Sequence, residues 1–288
     1  MTIAITGATG QLGRLALAAL KARAPEAAVV ALARDPSRVA EAGVAEAGVE
    51  ARAFDYTLPE TFSALEGVGV LVLISSNAVG QRFAQHKAVI EAAKASGVGR
   101  VIYTSLLKGE GSTMKLAEEH VATEALLKAS GLPFTILRNG WYTENSTGAL
   151  GAALEHGAII GASGEGRFSS APRADYAEAI AVTALGAGHE GKIYELAGDT
   201  AFTAADLAAE VARQSGKPVA FVNMSEAEYA KALEGFGLHP GFAAILADSD
   251  AQTGAADALF DDSRTLSTLI GRPTTPLAET VRAALAAL

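Results

Sequence analysis

The first twenty residues, Met1–Leu20, read MTIAITGATGQLGRLALAAL, and this stretch decides the fold. Its β-branched and apolar run Ile3–Thr6 is typical of a buried strand, and Leu12–Ala22 repeats apolar side chains with the period of a helix. The evenly spaced glycines between the two runs are Gly7, Gly10 and Gly13. The stretch therefore predicts a strand, a glycine turn and a helix, in that order.

Each of the three glycines has a physical reason in a turn that approaches a phosphate group. The first allows a tight turn out of the strand, the second lets the backbone approach a pyrophosphate without a Cβ in the way, and the third lets the helix pack closely on the sheet. The helix N-terminus then presents N–H groups and the positive end of its dipole. Three glycines can also form a merely flexible turn, but their place at the start of a strand–helix series favours a dinucleotide-binding site.

The first half of the chain repeats this alternation of short β-branched runs and longer alanine- and leucine-rich runs. The further strands are predicted at Val29–Arg34, Val49–Phe54, Val68–Ser75, Arg100–Ser105 and Pro133–Asn139, and the further helices at Gln81–Ser96 and Ala117–Ala129. Regular alternation of strand and helix gives parallel strands joined by right-handed crossovers. The predicted fold class is therefore α/β, with a Rossmann-type doubly wound parallel sheet.

The regular alternation loosens after Tyr142. We therefore expect residues 1–142 to form the dinucleotide-binding domain and residues 143–288 a smaller C-terminal substrate lobe, with some segments returning to the main sheet. The elements predicted in the second part are a loop at Gly161–Gly166, helices at Arg173–Leu185 and Thr203–Ser215, strands at Ile193–Ala197 and Val219–Asn223, and a last helix from near Pro276. Thr203 is the expected N-cap of its helix.

The composition excludes several classes of protein. Half of the 288 residues are hydrophobic, which provides for a sizeable core, and the absence of cysteine excludes disulfides, thiolate nucleophiles and zinc–thiolate sites. The formal net charge of −9 provides no basic excess for nucleic acid. Neither an apolar run of membrane-spanning length nor a secretory signal pattern is evident, so we expect no membrane span, no metal site and a cytoplasmic location.

The end of the second predicted strand addresses the choice between NAD and NADP. An acidic residue there would hold the ribose 2′-hydroxyl of NAD, whereas an arginine would accept the 2′-phosphate of NADP. The sequence has Arg34 followed at once by Asp35, and the arginine fork favours NADP. Arg34 can also be an ordinary solvated charge. Asp55, after the third strand, either faces the adenine or serves as a turn residue.

Small polar residues follow two further strands at the same expected edge of the sheet. They are Ser75, Ser76 and Asn77 after the fourth strand and Thr104 and Ser105 at the end of the fifth. Side chains of this kind can bond the ribose and nicotinamide portions of a dinucleotide. Ordinary turn chemistry explains each of them equally well.

The absence of one catalytic motif, Tyr-x-x-x-Lys, limits the reactions that the sequence favours. Many short-chain dehydrogenases use a Tyr-x-x-x-Lys pair to move the substrate proton, with the lysine lowering the pKa of the tyrosine. No tyrosine lies between Ser105 and Gly131, and Lys115 and His120 fall in that region instead. We assign no catalytic side chain. His120 can serve as an acid, but we expect it to cap or pack within its helix. Hydride transfer to an electron-poor, flat acceptor needs orientation more than a proton donor.

The chain resembles the NmrA-like, atypical short-chain dehydrogenases, and within them the type 2 NAD(P)H:quinone oxidoreductases. The resemblance spans nearly the whole chain, and its specific stretches include ITGATGQLG (Ile5–Gly13), LISSNAVGQR (Leu73–Arg82), LRNGWYTEN (Leu137–Asn145) and LFDDSRTLSTLIG (Leu259–Gly271). Triphenylmethane dye reductases are also similar.

This resemblance implies NADPH as cofactor, no flavin, and direct reduction of a quinone. It implies NADPH over the glycine turn, which includes Thr9, Gln11 and Leu12, with Arg34 at the 2′-phosphate. The residues implied to border the nicotinamide are Asn139, Gly140, Trp141, Tyr142, Thr143 and Glu144, and Arg173 is implied to reach the cofactor or the substrate. Trp141 and Tyr142 can form a stacking pocket for a flat quinone, or they can pack in the core at a lobe interface.

Other functions stay open at the level of sequence. A non-catalytic NADP(H)-sensing regulator of the NmrA-like type would also lack the Tyr-x-x-x-Lys pair, and a reductase of cationic dyes would use the same hydride chemistry. An epimerase or isomerase would need an acid/base pair that the sequence does not offer. The helix Gln81–Ser96 can cover the sheet or contact a second subunit, so a homodimer is one expected outcome.

Overall fold

The computed structural model describes residues 1–41 and 48–288 of the chain. The strands of these residues are β1 (Thr2–Ile5), β2 (Val29–Ala33), β3 (Glu50–Ala53), β4 (Val68–Leu73), β5 (Arg100–Leu106), β6 (Phe134–Asn139), β7 (Ala158–Gly161), β8 (Lys192–Leu196) and β9 (Ala220–Asn223). The α-helices are α1 (Gln11–Arg23), α2 (Ser37–Glu41), α3 (Arg82–Ala95), α4 (Ala117–Ala129), α5 (Thr143–Thr147), α6 (Leu150–His156), α7 (Arg173–Leu185), α8 (Ala204–Ser215), α9 (Glu226–Gly235), α10 (Pro240–Ala256), α11 (Thr265–Ile270) and α12 (Leu277–Ala286). Among the described residues, short 3-10 helices lie at Pro59–Leu65 and Gly109–Gly111.

A seven-stranded sheet in the order β3-β2-β1-β4-β5-β6-β8 forms the main layer. The strands from β3 to β6 run parallel, and Ile5 of β1 lies opposite Ala31 of β2 on one side and Val72 of β4 on the other. The predicted Rossmann-type α/β fold is confirmed. Because the strand order reverses between β1 and β4, the crevice for a ligand is expected beyond the carboxyl ends of these two strands.

The sheet is buried on both faces, which explains its nearly continuous apolar strands. Every residue of β2 and β5 is buried, and so are Ile3, Ala4 and Ile5 of β1. Helix α1 forms because its apolar residues recur at helical spacing, and it packs on α7 with its buried face. That face consists of Leu12, Gly13, Ala16, Leu17 and Leu20.

The chain divides into two compact units, each built from separate segments. The first consists of Met1–Gly109, Glu119–Asn139 and Arg173–Tyr194, and the second of Glu110–Glu118, Gly140–Pro172 and Glu195–Leu288. Helix α7 and the start of β8 therefore belong to the first unit. The assignment of residues 1–142 to NADP binding and of residues 143–288 to substrate binding concerns function, and it stays a prediction.

In the second unit, β7 and β9 pair in parallel as a separate small sheet, with Ala158 opposite Ala220. Helix α8 lies against both strands. The predicted N-cap is confirmed, because the Thr203 hydroxyl accepts the Asp206 N–H while the Asp206 carboxylate accepts the Thr203 N–H. Sequence analysis missed β7 and the helices α5, α6, α9, α10 and α11. In the described ranges no helix is long and apolar enough to cross a membrane.

Candidate functional site

The glycine turn adopts the geometry that its spacing predicts. Gly7, directly after β1, has a φ of +60°, which side chains disfavour. A Cβ at Gly13 would lie 2.2 Å from the carbonyl oxygen of Gly7, so only glycine lets α1 approach the turn this closely. The first and third glycines therefore serve as expected, one for the turn and one for the close approach of the helix.

The N-terminus of α1 is exposed, and its backbone N–H groups are not capped by a side chain of the described residues. Gly10 is the N-cap residue, and within the described chain no side chain caps the helix and no acidic residue lies in its first turn. Gly7, Gly10 and Gln11 are exposed. An exposed, uncapped helix start next to a glycine turn is a suitable environment for phosphate groups.

The two charged residues after β2 differ in what they contact. The carboxylate of Asp35 accepts hydrogen bonds from the Ser37 N–H (3.0 Å) and the Ser37 hydroxyl (2.6 Å), which lower its pKa. Arg34 is exposed and has no hydrogen bond or ion pair within the described residues. The arginine rather than the aspartate is thus available to a ligand at this position.

Asp55 has a structural role of its own. Its carboxylate accepts the Thr57 N–H (2.8 Å) and the Thr57 hydroxyl (2.7 Å), and these bonds lower its pKa, with a smaller contribution from the charge of Arg34. This is the turn chemistry that the sequence offers as one interpretation of Asp55. A contact with the adenine stays a prediction.

The backbone that follows β4 is hydrogen-bonded by side chains from the turn after β1, from β5 and from α3. The bonds run from Ile74 N–H to Thr6 Oγ1, from Ser75 N–H to Thr104 Oγ1 and from Ser76 N–H to His86 Nε2, each at 2.9 Å. The carbonyl groups are held as well, since the Tyr56 hydroxyl donates to Ile74 O and the Arg82 Nε donates to Ser76 O. The loop predicted to line the cofactor is therefore hydrogen-bonded to the protein at Ile74, Ser75 and Ser76.

One face of α4 contacts the end of this loop segment and the strand and helix around it. Four polar residues at helical spacing, Glu119, His120, Thr123 and Glu124, each contact a different part of the first unit. The contacts are Glu119 with Gly80 N–H (2.9 Å) and Phe83 N–H (3.1 Å), His120 with the Tyr103 hydroxyl (2.8 Å), Thr123 with His86 (3.1 Å) and Glu124 with Ser105 (2.7 Å).

A buried ion pair joins α4 to β6. Glu124 is fully buried and accepts two hydrogen bonds from Arg138, at 2.9 Å from Nε and 2.6 Å from Nη2. Gly109, with a φ of +47°, lies against the guanidinium, and a Cβ there would come within 2.1 Å of Cζ. The Ser105 hydroxyl donates to the same carboxylate. Thr104 and Ser105 thus both have partners inside the protein, and their predicted contact with the cofactor stays a prediction.

The remaining predicted residues divide between the two units. In the first unit, Asn139 ends β6 and is buried, and Arg173 begins α7 and is half-buried. In the second unit, the backbone of Trp141 and Thr143 pairs with Ala171, which fixes the start of α5. The side chains of Trp141 and Tyr142 are half-buried, so both stacking and packing remain open to them.

A separate open cavity of about 570 Å³ lies in the second unit. It is lined by Gly164, Glu165, Ala205, Ala208, Ala209, Val219, Ala220, Phe221 and Asn223, none of which is a predicted site residue. The cavity offers few polar groups, and the functional interpretation rests on the sheet edge instead.

Comparison with known proteins identifies the family. Residues 7–187, which include the glycine turn and the segments around it, match the family model described as NAD(P)H-binding. The chain belongs to this NAD(P)H-binding family.

Several known proteins are similar to this NAD(P)H-binding chain over almost its whole length. Quinone oxidoreductase 2 of Escherichia coli is 54% identical over 281 residues, which are 97% of each chain. A crystal structure of an NADPH-dependent quinone oxidoreductase of E. coli with NADPH has a TM-score of 0.94 at 52% identity and covers 98% of this chain and 99% of that one. A Citrobacter triphenylmethane reductase with NADP(H) has a TM-score of 0.91 at 35% identity over 98% and 99%. The resemblance drawn from the sequence is confirmed.

Partners within this NAD(P)H-binding protein engage three candidate proton donors, Tyr103, His120 and Lys115. Tyr103 and His120 are both buried, and burial raises the pKa of the Tyr103 hydroxyl and lowers the pKa of the His120 ring. Lys115 belongs to the second unit, where it contacts Asp248 (3.3 Å). His120 is buried, but its ring bonds Tyr103 of β5 rather than a residue of its own helix.

Sequence analysis missed several residues that shape the site of this NAD(P)H-binding protein. The sequence indicates no partner for His86, whereas in the structure its ring bonds both Ser76 N–H and Thr123. Thr6, Tyr56 and Arg138 were also missed. The available signal was the paired i, i+4 spacing of Glu119 with Thr123 and of His120 with Glu124, which places four polar side chains on one helix face. The partners of that face depend on tertiary structure.

Proposed function

We propose that the protein is an NADPH-dependent quinone reductase that acts by direct hydride transfer. The observation that carries the proposal is the 54% identity to the E. coli quinone oxidoreductase over 97% of both chains. A glycine turn with the geometry of a dinucleotide site and an available Arg34 support it from within the chain.

In this proposal the cofactor is held mainly by the first unit. The N–H groups at the start of α1 would bind the pyrophosphate, and the guanidinium of Arg34 would bind the 2′-phosphate. The loop Ser75–Asn77 would line the ribose and nicotinamide. Thr9, Leu12 and Arg173 are proposed as further contacts. The proposal requires neither a flavin nor a metal ion.

The residues of the chain would act by orientation rather than by acid–base catalysis. When bound, NADPH supplies a hydride, and hydride plus one proton from solvent convert a quinone to a hydroquinone. Tyr103 and His120 are engaged with each other inside the protein and would not supply that proton. The fixed backbone of residues 74–76 would hold its part of the site in one conformation, which favours reaction through orientation. Trp141 and Tyr142 are proposed to stack on the quinone.

The test is the oxidation of NADPH by a simple benzoquinone, followed by the loss of nicotinamide absorbance. We expect enzyme-dependent turnover that saturates with both substrates. A rate equal to that of the mixture without protein would contradict the proposal. NADP(H) binding without turnover of any acceptor would instead support the sensing function.

A second candidate function is the reduction of cationic triphenylmethane dyes. The 35% identical Citrobacter reductase favours it, because the two folds superpose over nearly their whole length. Measuring kcat/KM for a benzoquinone and for a triphenylmethane dye with the same preparation separates the two. We expect the quinone to be preferred.

Assembly and location belong to the proposal as well. The inner face of α3 is buried, with Val89, Ile90 and Ala93 in the core, so this helix covers the sheet. Its outer face includes Phe83, Lys87 and Glu91, and it is where we propose that a homodimer would form. Light scattering in solution tests the dimer, and cell fractionation tests the proposed cytoplasmic location.

A further inference from the structure

We propose that His86 is a positioning residue for the cofactor, because it fixes the backbone of Ser76 in the loop that lines the dinucleotide. The inference rests on the proposed NADPH-binding function and adds a residue that would not touch the cofactor. It concerns how tightly and in what position the nicotinamide half is held.

The contacts of His86 determine its tautomer. Nε2 accepts the N–H of Ser76 at 2.9 Å and therefore carries no hydrogen. Nδ1 carries the hydrogen and donates to Thr123 Oγ1 at 3.1 Å, and the Thr123 hydroxyl donates in turn to the carbonyl oxygen of Glu119 at 2.7 Å. The ring is thus a neutral link between the loop and the backbone of α4.

The surroundings of His86 keep it neutral. The side chain is fully buried, and burial together with the nearby charge of Arg82 lowers its pKa to about 3. The rings of Tyr56 and Tyr103 lie edge-on to it, at centroid distances of 6.3 Å and 5.3 Å. A neutral imidazole with one acceptor nitrogen is what the Ser76 N–H requires as a partner.

Side chains of a single helix, α3, bond both the backbone N–H and the backbone carbonyl oxygen of Ser76. His86 accepts its N–H, and Arg82, one turn earlier on α3, donates to its carbonyl oxygen at 2.6 Å. The far end of the same segment is held by the Glu119 carboxylate at Gly80 and Phe83. Without His86, the Ser76 amide loses its acceptor while the rest of the support remains, so the loop can shift locally.

A buried histidine can also serve only the stability of the fold, and His120 offers a matched control for that alternative. His120 is likewise buried with a lowered pKa, and its ring contacts the Tyr103 hydroxyl. In the described structure its ring has no hydrogen bond to residues 74–83. Loss of either ring should therefore lower stability, but only loss of His86 should affect the cofactor.

The experiment compares His86→Leu, His86→Gln and His120→Leu with the wild-type chain. Calorimetric titration measures the Kd for NADPH, steady-state kinetics measure KM for NADPH and for benzoquinone, and thermal unfolding measures Tm. We expect His86→Leu to raise the Kd and KM for NADPH about tenfold, because a buried donor loses its acceptor. The KM for the quinone should change little. His86→Gln, whose amide can accept from Ser76, should recover most of the affinity.

Several outcomes would overturn the proposal. One is a His86→Leu variant that loses Tm as His120→Leu does but binds NADPH like the wild type. Another is a His86→Gln variant that binds as weakly as His86→Leu. If His86→Leu does not fold, Thr123→Val removes the acceptor of the ring and should weaken NADPH binding about threefold, and unchanged binding would count against the proposal. A wild-type chain that binds NADPH without reducing quinones would contradict only the proposed function. It would not contradict the role of His86, because that role is tested by NADPH binding.

Discussion

At the scale of single residues, the contacts around Arg34 and Asp35 resolve what the sequence leaves open. The two charges follow each other, and the pattern alone does not assign one of them to the ligand. The Asp35 carboxylate binds Ser37 at the start of α2, whereas Arg34 is exposed near Asp55. The choice of cofactor is therefore expected to depend on a single guanidinium.

The corresponding prediction concerns Arg34→Glu. A carboxylate in place of the guanidinium would repel the 2′-phosphate, so the ratio of kcat/KM for NADPH over NADH should fall at least about tenfold, as for the loss of a charge-assisted contact. Steady-state kinetics with both cofactors measure it. Arg38→Glu, an exposed arginine on α2, is the matched control and should leave the ratio near that of the wild type. An unchanged ratio in Arg34→Glu would exclude Arg34 as the phosphate ligand.

At the scale of elements, α4 shows what sequence periodicity can and cannot predict. Its position and type follow from the sequence, since Ala117–Ala129 is both predicted and observed. The partners of its polar face cannot be predicted from the sequence, because Glu119, Thr123 and Glu124 bond segments that are distant along the chain. Helix α10 was missed because small and apolar residues occur on all its faces, so no amphipathic period marks it.

The prediction for this element is a loss of stability in Glu124→Gln. The substitution keeps the shape of the side chain but removes the buried carboxylate that accepts two hydrogen bonds from Arg138, which should lower the free energy of unfolding by about 3 kcal/mol. Urea denaturation measures the loss. Glu118→Gln on the same helix is exposed and should change stability by less than about 0.5 kcal/mol. Equal losses of stability in the two variants would show that the buried pair of Glu124 and Arg138 does not stabilise the fold.

At the scale of the whole molecule, the α/β fold and the glycine turn follow from the sequence, whereas the assembly of the two units from interleaved segments does not. The segment Glu110–Glu118 leaves the first unit between β5 and the bulk of α4, and Arg173–Tyr194 returns to it. Such exchanges depend on long-range packing. The same packing buries ionisable groups, so the stability of the molecule should depend on pH.

Acid sensitivity is the prediction at this scale. The pKa values of His86, His120 and His189 are all lowered in the folded chain, in each case mainly by burial. The unfolded chain therefore binds more protons below about pH 6.5, and stability should fall as the pH is lowered from there, by about 1.4 kcal/mol per pH unit for each deeply buried histidine.

Urea denaturation at pH 7.0 and at pH 5.5 tests this dependence. In His120→Leu, the free energy of unfolding should fall less between pH 7.0 and pH 5.5 than in the wild-type chain, because one group no longer takes up a proton on unfolding. Identical declines would mean that His120 is not held neutral in the folded protein.

The polar face of α4 also limits how this fold could acquire a new activity. The region where alcohol-oxidising relatives of the short-chain class carry their tyrosine and lysine is here filled by residues bound to the Ser76–Phe83 segment, to Tyr103 and to Arg138. Introducing the pair by two substitutions risks cutting these bonds at the same time. An evolutionary or engineered path to carbonyl reduction would therefore have to replace these bonds around the loop that is predicted to line the cofactor.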